Sequence, residues 1–266
     1  MKFREIFRFE FVYQARRVRT WLYFAVLFAV AYLLVRTDPA AGGEVVNSPY
    51  DIAQDTVLTG LLWAVMAPAV AGSAAARDVQ TRMHPLIYAA PISKADYLGG
   101  RFLAAFVLNA VILLAVPLGI LAALYLPGRE PEIVGPLRPA VYLSSYGVLA
   151  LPTAFTFTAV QFSLAALKRR AIVSYLGSVL FFVTVGVPAG LFLNVLQMPT
   201  LGQLLDPTCR LTVLVVMSDT LTPLEKNTVL IGLESWVLAN RLLWVCLALA
   251  VLVFTHVRFR LGHRAA

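Results

Sequence analysis

Residues 77–101 read RDVQTRMHPLIYAAPISKADYLGGR, a charged stretch between two long apolar runs, 56–76 and 102–126. Both runs are free of charged residues, and each is long enough to cross a bilayer, which takes about 20 residues of α-helix. The stretch therefore connects two membrane-spanning helices on one side of a membrane. The rest of the chain repeats this alternation of long apolar runs and polar segments.

Composition indicates the same class of protein. Hydrophobic residues make up 60% of the 266 residues and charged residues 14%, against roughly 25% charged residues in soluble domains. We therefore predict an all-α integral membrane protein in which residues 1–266 form a single domain of six transmembrane helices. The predicted spans are 20–35, 56–76, 102–126, 139–167, 171–205 and 242–257.

For three of these runs, we expect the ends of the span to differ from the ends of the apolar run. The fifth run is too long for one simple span, and we expect the span to end near 197–199. The first and last runs are short, so we expect them to use flanking residues, with Arg16, Arg17 or Arg241 extending its charge to the membrane interface.

Lysine and arginine predict the orientation, since cytoplasmic loops of membrane proteins are enriched in these residues. With the N-terminus inside, the cytoplasmic segments hold most of the 22 Lys and Arg residues, and the outer segments hold most of the 14 Asp and Glu residues. The interpretation is a plasma (inner) membrane protein with both termini in the cytoplasm. The basic charge lies at membrane edges, so nucleic acid is not a predicted partner.

Residues 1–19 are patterned as an amphipathic helix. Phe3, Phe7 and Phe11 recur every four residues, while Arg4 and Arg8 occupy another face. We predict an interfacial helix whose aromatic side chains lie at the lipid headgroup boundary and whose arginines lie near lipid phosphate, which makes membrane lipid a partner. The alternative is a signal peptide or a signal anchor.

Residues 197–241 mix polar breaks with apolar pieces that are too short to span a bilayer. This mixture predicts a helical cap on the outer face, between the fifth and sixth spans. We expect 211–217 to dip into the outer leaflet and 223–234 to form a short helix, with Thr222 as N-cap and Pro223 at the first position. The residues assigned to this cap are Asp206, Pro207, Glu225, Asn227, Asn240 and Arg241.

Four prolines, Pro68, Pro117, Pro152 and Pro188, each fall inside a different predicted span. Proline removes a helical hydrogen bond and clashes with the preceding turn, so we expect a kink or break at each. Two interpretations stay open: proline is common in membrane helices, and bent helices suit a protein that changes conformation.

Enzyme signatures are mostly absent. The chain has no GxxxxGK[ST] and no HExxH, and His84, His256 and His263 are far apart in sequence. No paired carboxylates and no charged residues fall inside the predicted spans, which argues against an intramembrane protease and against an ion-coupled carrier. Cys209 and Cys246 are expected to be small packing residues. We therefore predict no catalytic residue, no metal and no cofactor bound by this chain.

The stretch 77–101 is expected to carry a docking element. Val79, Met83, Leu86 and Ile87 fit one face of a helix, which a break at Pro91 follows. An amphipathic helix in the loop 77–97 would expose its apolar face unless a partner or lipid covered it. The alternative is a solvated connector that binds nothing.

Three segments resemble a known family: the N-terminal amphipathic helix, the loop ARDVQTRMHPLIYAAPISKADYLGGRF, and LDPTCR followed by TLTPLEKN and NRLLW. They are similar to the membrane subunit (permease) of ABC exporters of the ABC-2 class, particularly the branch sometimes fused to a zinc aminopeptidase. The chain departs from that branch where LDPTCR replaces an LDPFG-like pattern.

The resemblance implies a coupling helix in the loop between spans two and three, which inserts into a separate ATP-binding subunit that holds ATP and magnesium. It also implies a homodimer or a pair with a related permease. The residues expected on the docking surface are Arg77, Asp78, Thr81, Arg82, Met83, Leu86, Pro91, Ser93, Lys94 and Tyr97.

Three functions are compatible with the sequence. The first is the permease of an ATP-driven exporter, and the second is a membrane scaffold that recruits a cytosolic protein through the same loop. The third is a stand-alone channel or carrier, which the scarcity of intramembrane charge and the absence of an evident repeat disfavour.

Overall fold

The computed structural model of the chain describes residues 2–37, 45–127, 133–232 and 235–260. His263 and residues 233–234 of the predicted outer cap lie outside this part. The regular elements of the described residues are helices, and the all-α prediction is confirmed. We number the α-helices α1 (Lys2–Ala15), α2 (Val18–Thr37), α3 (Pro49–Met66), α4 (Pro68–Gln80), α5 (His84–Ala89), α6 (Lys94–Leu113), α7 (Ala115–Tyr125), α8 (Pro139–Ser144), α9 (Leu151–Lys168), α10 (Ile172–Phe181), α11 (Val187–Asn194), α12 (Pro199–Leu205), α13 (Ser218–Thr220), α14 (Pro223–Thr228) and α15 (Ser235–Arg258).

Within the described residues, five helical runs are long and apolar enough to cross a membrane. These runs are Val18–Thr37, Pro49–Gln80, Lys94–Tyr125, Pro139–Lys168 and Trp236–Arg258. The second and third are longer than the predicted spans, because the helices continue through charged residues at their ends. Ser48 starts α3 as an N-cap, since its side chain accepts a hydrogen bond from the Asp51 amide at 3.0 Å.

The remaining predicted span, 171–205, is divided in the structure. Helix α10 runs through a π-helical turn, Phe182–Gly186, into α11, which ends at Asn194. Gln197 then adopts a φ of 53°, and α12 returns against α11. A Cβ at Gly202 would lie 2.9 Å from the Ala189 carbonyl oxygen, so the two helices pack backbone to backbone. The helix thus ends close to the predicted position, 197–199.

Each of the four prolines lies at or near an interruption of the α-helical pattern. Ala67 separates α3 from α4 directly before Pro68, and Leu114 separates α6 from α7 three residues before Pro117. A π-helix, Ser145–Ala150, ends two residues before Pro152. The π-helical turn Phe182–Gly186 likewise ends two residues before Pro188. Proline cannot donate to the carbonyl four residues earlier, and a wider turn accommodates its ring.

Close packing of α2 against α7 depends on a glycine. A Cβ at Gly119 would lie 2.5 Å from the Phe28 carbonyl oxygen and 3.0 Å from the Ala31 Cβ. Small residues allow helix backbones to approach in this way, and van der Waals packing is the main attraction between helices in lipid. Around this contact, the buried core is continued by large side chains such as Trp63 and Phe157, whose rings meet edge to face at 6.2 Å.

Substitution of Gly119 by alanine should therefore separate α2 from α7. We expect Gly119→Ala to lower the free energy of unfolding by about 1–3 kcal/mol, because the new methyl group meets backbone that cannot rotate away. Thermal unfolding in one detergent measures the effect. Gly147→Ala is the matched control, since nothing lies within 4 Å of a Cβ at Gly147. Equal unfolding midpoints for the two variants would contradict this account of the packing.

Candidate functional site at the junction of α1, α4 and α6

Four charged side chains form a buried network where α1, α4 and α6 meet. Glu10 is 1% exposed, Asp78 3%, Arg101 4% and Arg77 8%. Arg77 holds the Glu10 carboxylate with both terminal nitrogens, at 2.7 Å to Oε2 and 2.9 Å to Oε1. Arg101 lies 2.5 Å from Asp78 Oδ2 and 3.9 Å from Glu10 Oε2. Two cations and two anions thus neutralise one another in a largely buried site.

Neutral groups complete this charge network. The Tyr97 hydroxyl donates to Asp78 Oδ2 at 3.0 Å, and Arg101 donates to the Ala74 carbonyl at 2.9 Å. Gln14 donates to Glu10 Oε1 at 3.0 Å and to the Val70 carbonyl at 3.1 Å. Since a buried charge without a partner is costly, these bonds fix the position of α1 against the two long helical runs that contain α4 and α6.

The residues of α1 that join the network lie on one regular face of the helix. Residues 3, 7, 10 and 14 follow the spacing of one helix face, and two of them, Glu10 and Gln14, are buried. A Cβ at Gly100 would lie 3.0 Å from both the Phe3 carbonyl oxygen and Ile6 Cγ2. The glycine in α6 therefore lets α1 approach closely enough for Glu10 to reach Arg77.

A tight turn between α4 and α5 changes the direction of the chain. Arg82 has a φ of 58°, its amide donates to the Val79 carbonyl at 3.2 Å, and the Met83 amide donates to the Asp78 carbonyl at 2.9 Å. This pair of bonds around a left-handed residue is the Schellman ending of a helix. The short helix α5 starts directly after it, and Leu86 on this helix is 70% exposed.

The return from α5 to α6 is anchored at both sides. The Ser93 side chain caps α6 by accepting from the Asp96 amide at 3.0 Å, and Lys2 of α1 donates to the Pro91 carbonyl. Lys94 donates to the Phe259 carbonyl at 2.9 Å, and the rings of Tyr97 and Phe259 stack at 5.9 Å. The loop is thus attached to both terminal segments of the described chain.

A groove of about 430 Å³ lies between α1 and the loop. Its walls include the apolar side chains Ile6, Phe9, Met83, Ile87 and Ile92, and the four charged residues of the network also line it. Phe9 is 63% exposed. The groove offers an apolar surface above a fixed set of charges, which is the arrangement that a side chain of a partner protein can enter.

The structure corrects part of the predicted docking surface. Thr81, Arg82, Met83, Leu86, Pro91 and Ser93 are exposed, and Lys94 is half-buried. Arg77, Asp78 and Tyr97 are buried, so they do not belong to the exposed part of this surface and line the groove instead. Local helical spacing places them beside the loop, whereas pairing with Glu10 on the distant helix α1 turns them inward.

The predicted orientation of α1 is also wrong in part. Arg4 and Arg8 are exposed as expected. Phe3, however, abuts Gly99 of α6, with its ring 3.1 Å from where a Cβ would stand. Phe11 packs against the apolar core, and Phe7 is half-buried and stacks on Phe11. The aromatic stripe therefore faces protein at Phe11, whereas Phe3 at its start keeps 37% of its surface exposed.

A second polar network lies at the other end of the bundle, within the predicted outer cap. Asn240 donates to the carbonyls of Gln203 and Asp206 at 2.7 and 2.8 Å. Asp206 in turn accepts from the Thr208 amide at 3.0 Å and from the Leu211 amide at 2.7 Å. The carboxylate and the amide thus hold LDPTCR against the first turns of α15.

Arg241 contradicts its sequence-based prediction. It is 4% exposed, and it donates to Thr153 Oγ1 at 3.0 Å and to the Pro207 carbonyl at 3.4 Å. The charge is directed into the protein, because its guanidinium is bonded to Thr153 and to the Pro207 carbonyl. Arg77, Arg101 and Arg241 lie outside the predicted spans, but the longer helical runs of the structure include all three, and all three are buried.

The rest of the cap is held by the helix α14. Thr222 is its N-cap, as predicted, with Pro223 at the first position, and the helix ends at Thr228, earlier than predicted. Thr222 donates from its amide and its hydroxyl to Glu225 at 2.8 and 2.7 Å, which lowers the pKa of the Glu225 carboxyl. Asn227 accepts from the Val45 amide at 3.1 Å.

Residues 212–217, expected to dip into a leaflet, form a π-helix.

Sequence reasoning missed Glu10, Gln14 and Arg101 as members of a site. The signal that could have found them is a carboxylate and an amide on the aromatic stripe of residues 3, 7, 10 and 14. A charge on an otherwise apolar helix face requires a buried partner of opposite sign. Only basic residues that follow or precede an apolar run, such as Arg77 and Arg101, could supply it.

Comparison with protein-family models finds no match to the chain, and comparison with curated proteins also finds none. Among the described residues, no group of three His, Cys, Asp or Glu side chains lies close enough to hold a metal ion.

Loss of one charge from the network should be costly. We expect Glu10→Gln to lower the free energy of unfolding by about 3–5 kcal/mol, because it leaves a buried guanidinium without its anion. The measurement is the midpoint of thermal unfolding. Glu5→Gln on the exposed side of the same helix is the control, with a shift within about 0.5 kcal/mol.

The double variant Glu10→Gln, Arg77→Gln tests the charge balance itself. It removes one anion and one cation, so it should recover part of the stability lost in Glu10→Gln alone. A double variant as unstable as the sum of the two single variants would show that the pairing contributes nothing.

Proposed function

We propose that the chain is the transmembrane permease subunit of an ATP-driven ABC exporter, which couples ATP hydrolysis by a separate nucleotide-binding subunit to substrate movement. The observation that carries the proposal is the exposed helix α5, with Met83 before it, held beside α1 by the buried network of Glu10, Arg77, Asp78 and Arg101. A partner bound to α5 is thereby connected to the end of the run Pro49–Gln80 and to the start of the run Lys94–Tyr125.

The proposed membrane arrangement has six crossings. Five are the apolar runs described above, and the sixth is the continuous helical segment from α10 to α11. The run Pro49–Gln80 has 32 residues and would be about 48 Å long if straight, against about 30 Å for the hydrocarbon core. The excess length supports placing Arg77 and Asp78 at headgroup depth, on the cytoplasmic side, with both termini.

Docking would use the exposed part of the loop. In the proposal, a side chain of the ATP-binding subunit enters the groove between Phe9 and Met83, while Leu86 and Arg82 contact its surface. ATP and magnesium are bound by the partner, whose affinity for α5 differs between its nucleotide-bound and nucleotide-free conformations. That difference in affinity, transmitted by α4 and α6, shifts the membrane helices between two arrangements.

The four prolines supply places where those helices could bend. Both the Ser145–Ala150 and the Phe182–Gly186 turns are π-helical and end two residues before a proline, and π-helical turns occur frequently at functional sites. Two such six-span units, identical or related, would enclose the pathway. Exposed apolar residues of α10 and α15, such as Leu176, Val179 and Phe254, are available to lipid or to the second unit.

Co-purification tests the proposal most directly. The chain is extracted from its native membrane in a mild detergent, and ATPase activity is measured with and without vanadate. Vanadate-sensitive ATPase from a separate subunit is the expected result. A chain that carries no ATPase after cross-linking in intact membranes, where detergent cannot strip a partner, would contradict the permease proposal.

Substitution of Leu86 should weaken the partner complex. We expect Leu86→Asp to reduce affinity for the ATPase subunit by roughly 30-fold, since loss of an interface anchor costs about 2 kcal/mol. Leu224→Asp is the matched control, because Leu224 is 72% exposed on a short helix of the cap, against 70% for Leu86. Equal retention of the ATPase by both variants would place the docking surface elsewhere.

A further inference from the structure

A second cavity, distant from α5, lies inside the cap region between α12, α15 and the π-helix Thr212–Met217. It has a volume of about 390 Å³, within the range of small-molecule sites in proteins, roughly 300–1,000 Å³. Tyr50 from the first turn of α3 closes one side, and Trp236 from the start of α15 lies on another. Segments far apart in sequence thus build one concave surface.

The lining of this outer cavity carries no charge: the residues that form it are apolar, aromatic, hydroxyl or amide side chains. The two charged side chains nearby, Lys226 and Arg241, interact with other groups of the protein. Lys226 lies over the Tyr50 ring, 4.9 Å from its centroid, and Arg241 is bonded to Thr153. A charged ligand would lose its hydration in this cavity without gaining a counter-charge, so the lining selects against ions.

Polar groups are nevertheless present on the walls. The Tyr50 hydroxyl, the Thr200 hydroxyl, the Gln203 side-chain amide and the Trp236 indole nitrogen have no hydrogen-bond partner among the described residues. A purely hydrocarbon ligand would leave these donors and acceptors unused, whereas an uncharged ligand with hydroxyl, ether or amide groups would satisfy them. The chemistry of the walls is therefore amphipathic and neutral.

The wall formed by the π-helix supports a binding role independently. Val216 and Met217 reach the cavity from this helix, and π-helical turns are rare and occur frequently at functional sites. Met217 adds a flexible side chain that adapts to ligands of different shape.

We propose that the outer cavity binds an uncharged amphipathic small molecule, with its apolar body against Val216 and Met217 and its polar groups at Gln203 and Tyr50. Binding to the cavity stands apart from the proposed permease function. That the ligand is cargo of the exporter rests on that function, and the experiment below measures occupancy alone, so the two can fail separately.

Two fluorescent probes with the same aromatic skeleton test the proposal: N-phenylnaphthylamine, which is neutral, and anilinonaphthalene sulfonate, which is anionic. The full chain is reconstituted in nanodiscs, and binding is followed by energy transfer from tryptophan. We expect saturable binding of the neutral probe and no saturable binding of the anionic one. Trp236→Phe should remove most of the energy transfer, because Trp236 lines the cavity.

Cavity-filling variants separate this site from the surrounding lipid. Val216→Phe should weaken binding of the neutral probe at least tenfold, and Gln203→Leu should weaken it severalfold. Val183→Phe is the matched control in another π-helical turn, Phe182–Gly186. Val183 is 55% exposed and lines no part of this cavity, so this variant should bind as the unmodified chain does.

Unfolding midpoints establish that each variant is folded before binding is compared. If Val216→Phe fails to fold, Gln203→Leu still tests the proposal, because it changes a side chain on the wall of an open cavity. Equal binding of the neutral probe by the unmodified chain, Gln203→Leu and Val183→Phe, or equal binding of both probes, would overturn the proposal.

Discussion

The position of one carboxylate determines the arrangement of the whole α1, α4 and α6 junction. Glu10 is held by both terminal nitrogens of Arg77 and lies within 3.9 Å of Arg101. Without it, two guanidinium groups would share the single carboxylate of Asp78 in a largely buried site, where repulsion between like charges is poorly screened. Helix α1 is therefore attached by charge as well as by apolar contact, and the direction of the exposed helix α5 follows from that attachment.

The same principle operates at the opposite end of the bundle. Asn240 binds carbonyls of the segment around Asp206, and Trp244 donates to the Leu204 carbonyl at 3.0 Å. The segments LDPTCR and NRLLW, which carry part of the resemblance to ABC-2 permeases, thus contact each other. The loop 77–101 and the N-terminal helix, which carry the rest, do so as well. In both pairs a buried polar side chain satisfies a partner that is distant in sequence.

Hydropathy was sufficient to predict the helical class and the places of most long helices, since a bilayer requires internally bonded backbone. It underestimated their lengths, because hydropathy falls at the first charged residue whereas a helix ends at its cap. Helix α4 continues through Arg77 and Asp78 to the left-handed residue Arg82. The exposure of Met83 and Leu86 was predictable from local spacing. The inward direction of Arg77, Asp78 and Tyr97 was not, because it depends on a residue in another helix.

The sequence separation of the charge network imposes an order on the assembly of this chain during synthesis. Glu10 leaves the ribosome first, and Arg77 follows 67 residues later, several seconds at a typical elongation rate of about 5–20 residues per second. Throughout that interval the carboxylate has neither of its cations, so α1 cannot take its final place. Glu10 can meet its first cation only after α4 has been made, and the network closes only when α6 brings Arg101. The N-terminal helix, made first, therefore cannot complete its contacts until the third long helical run exists.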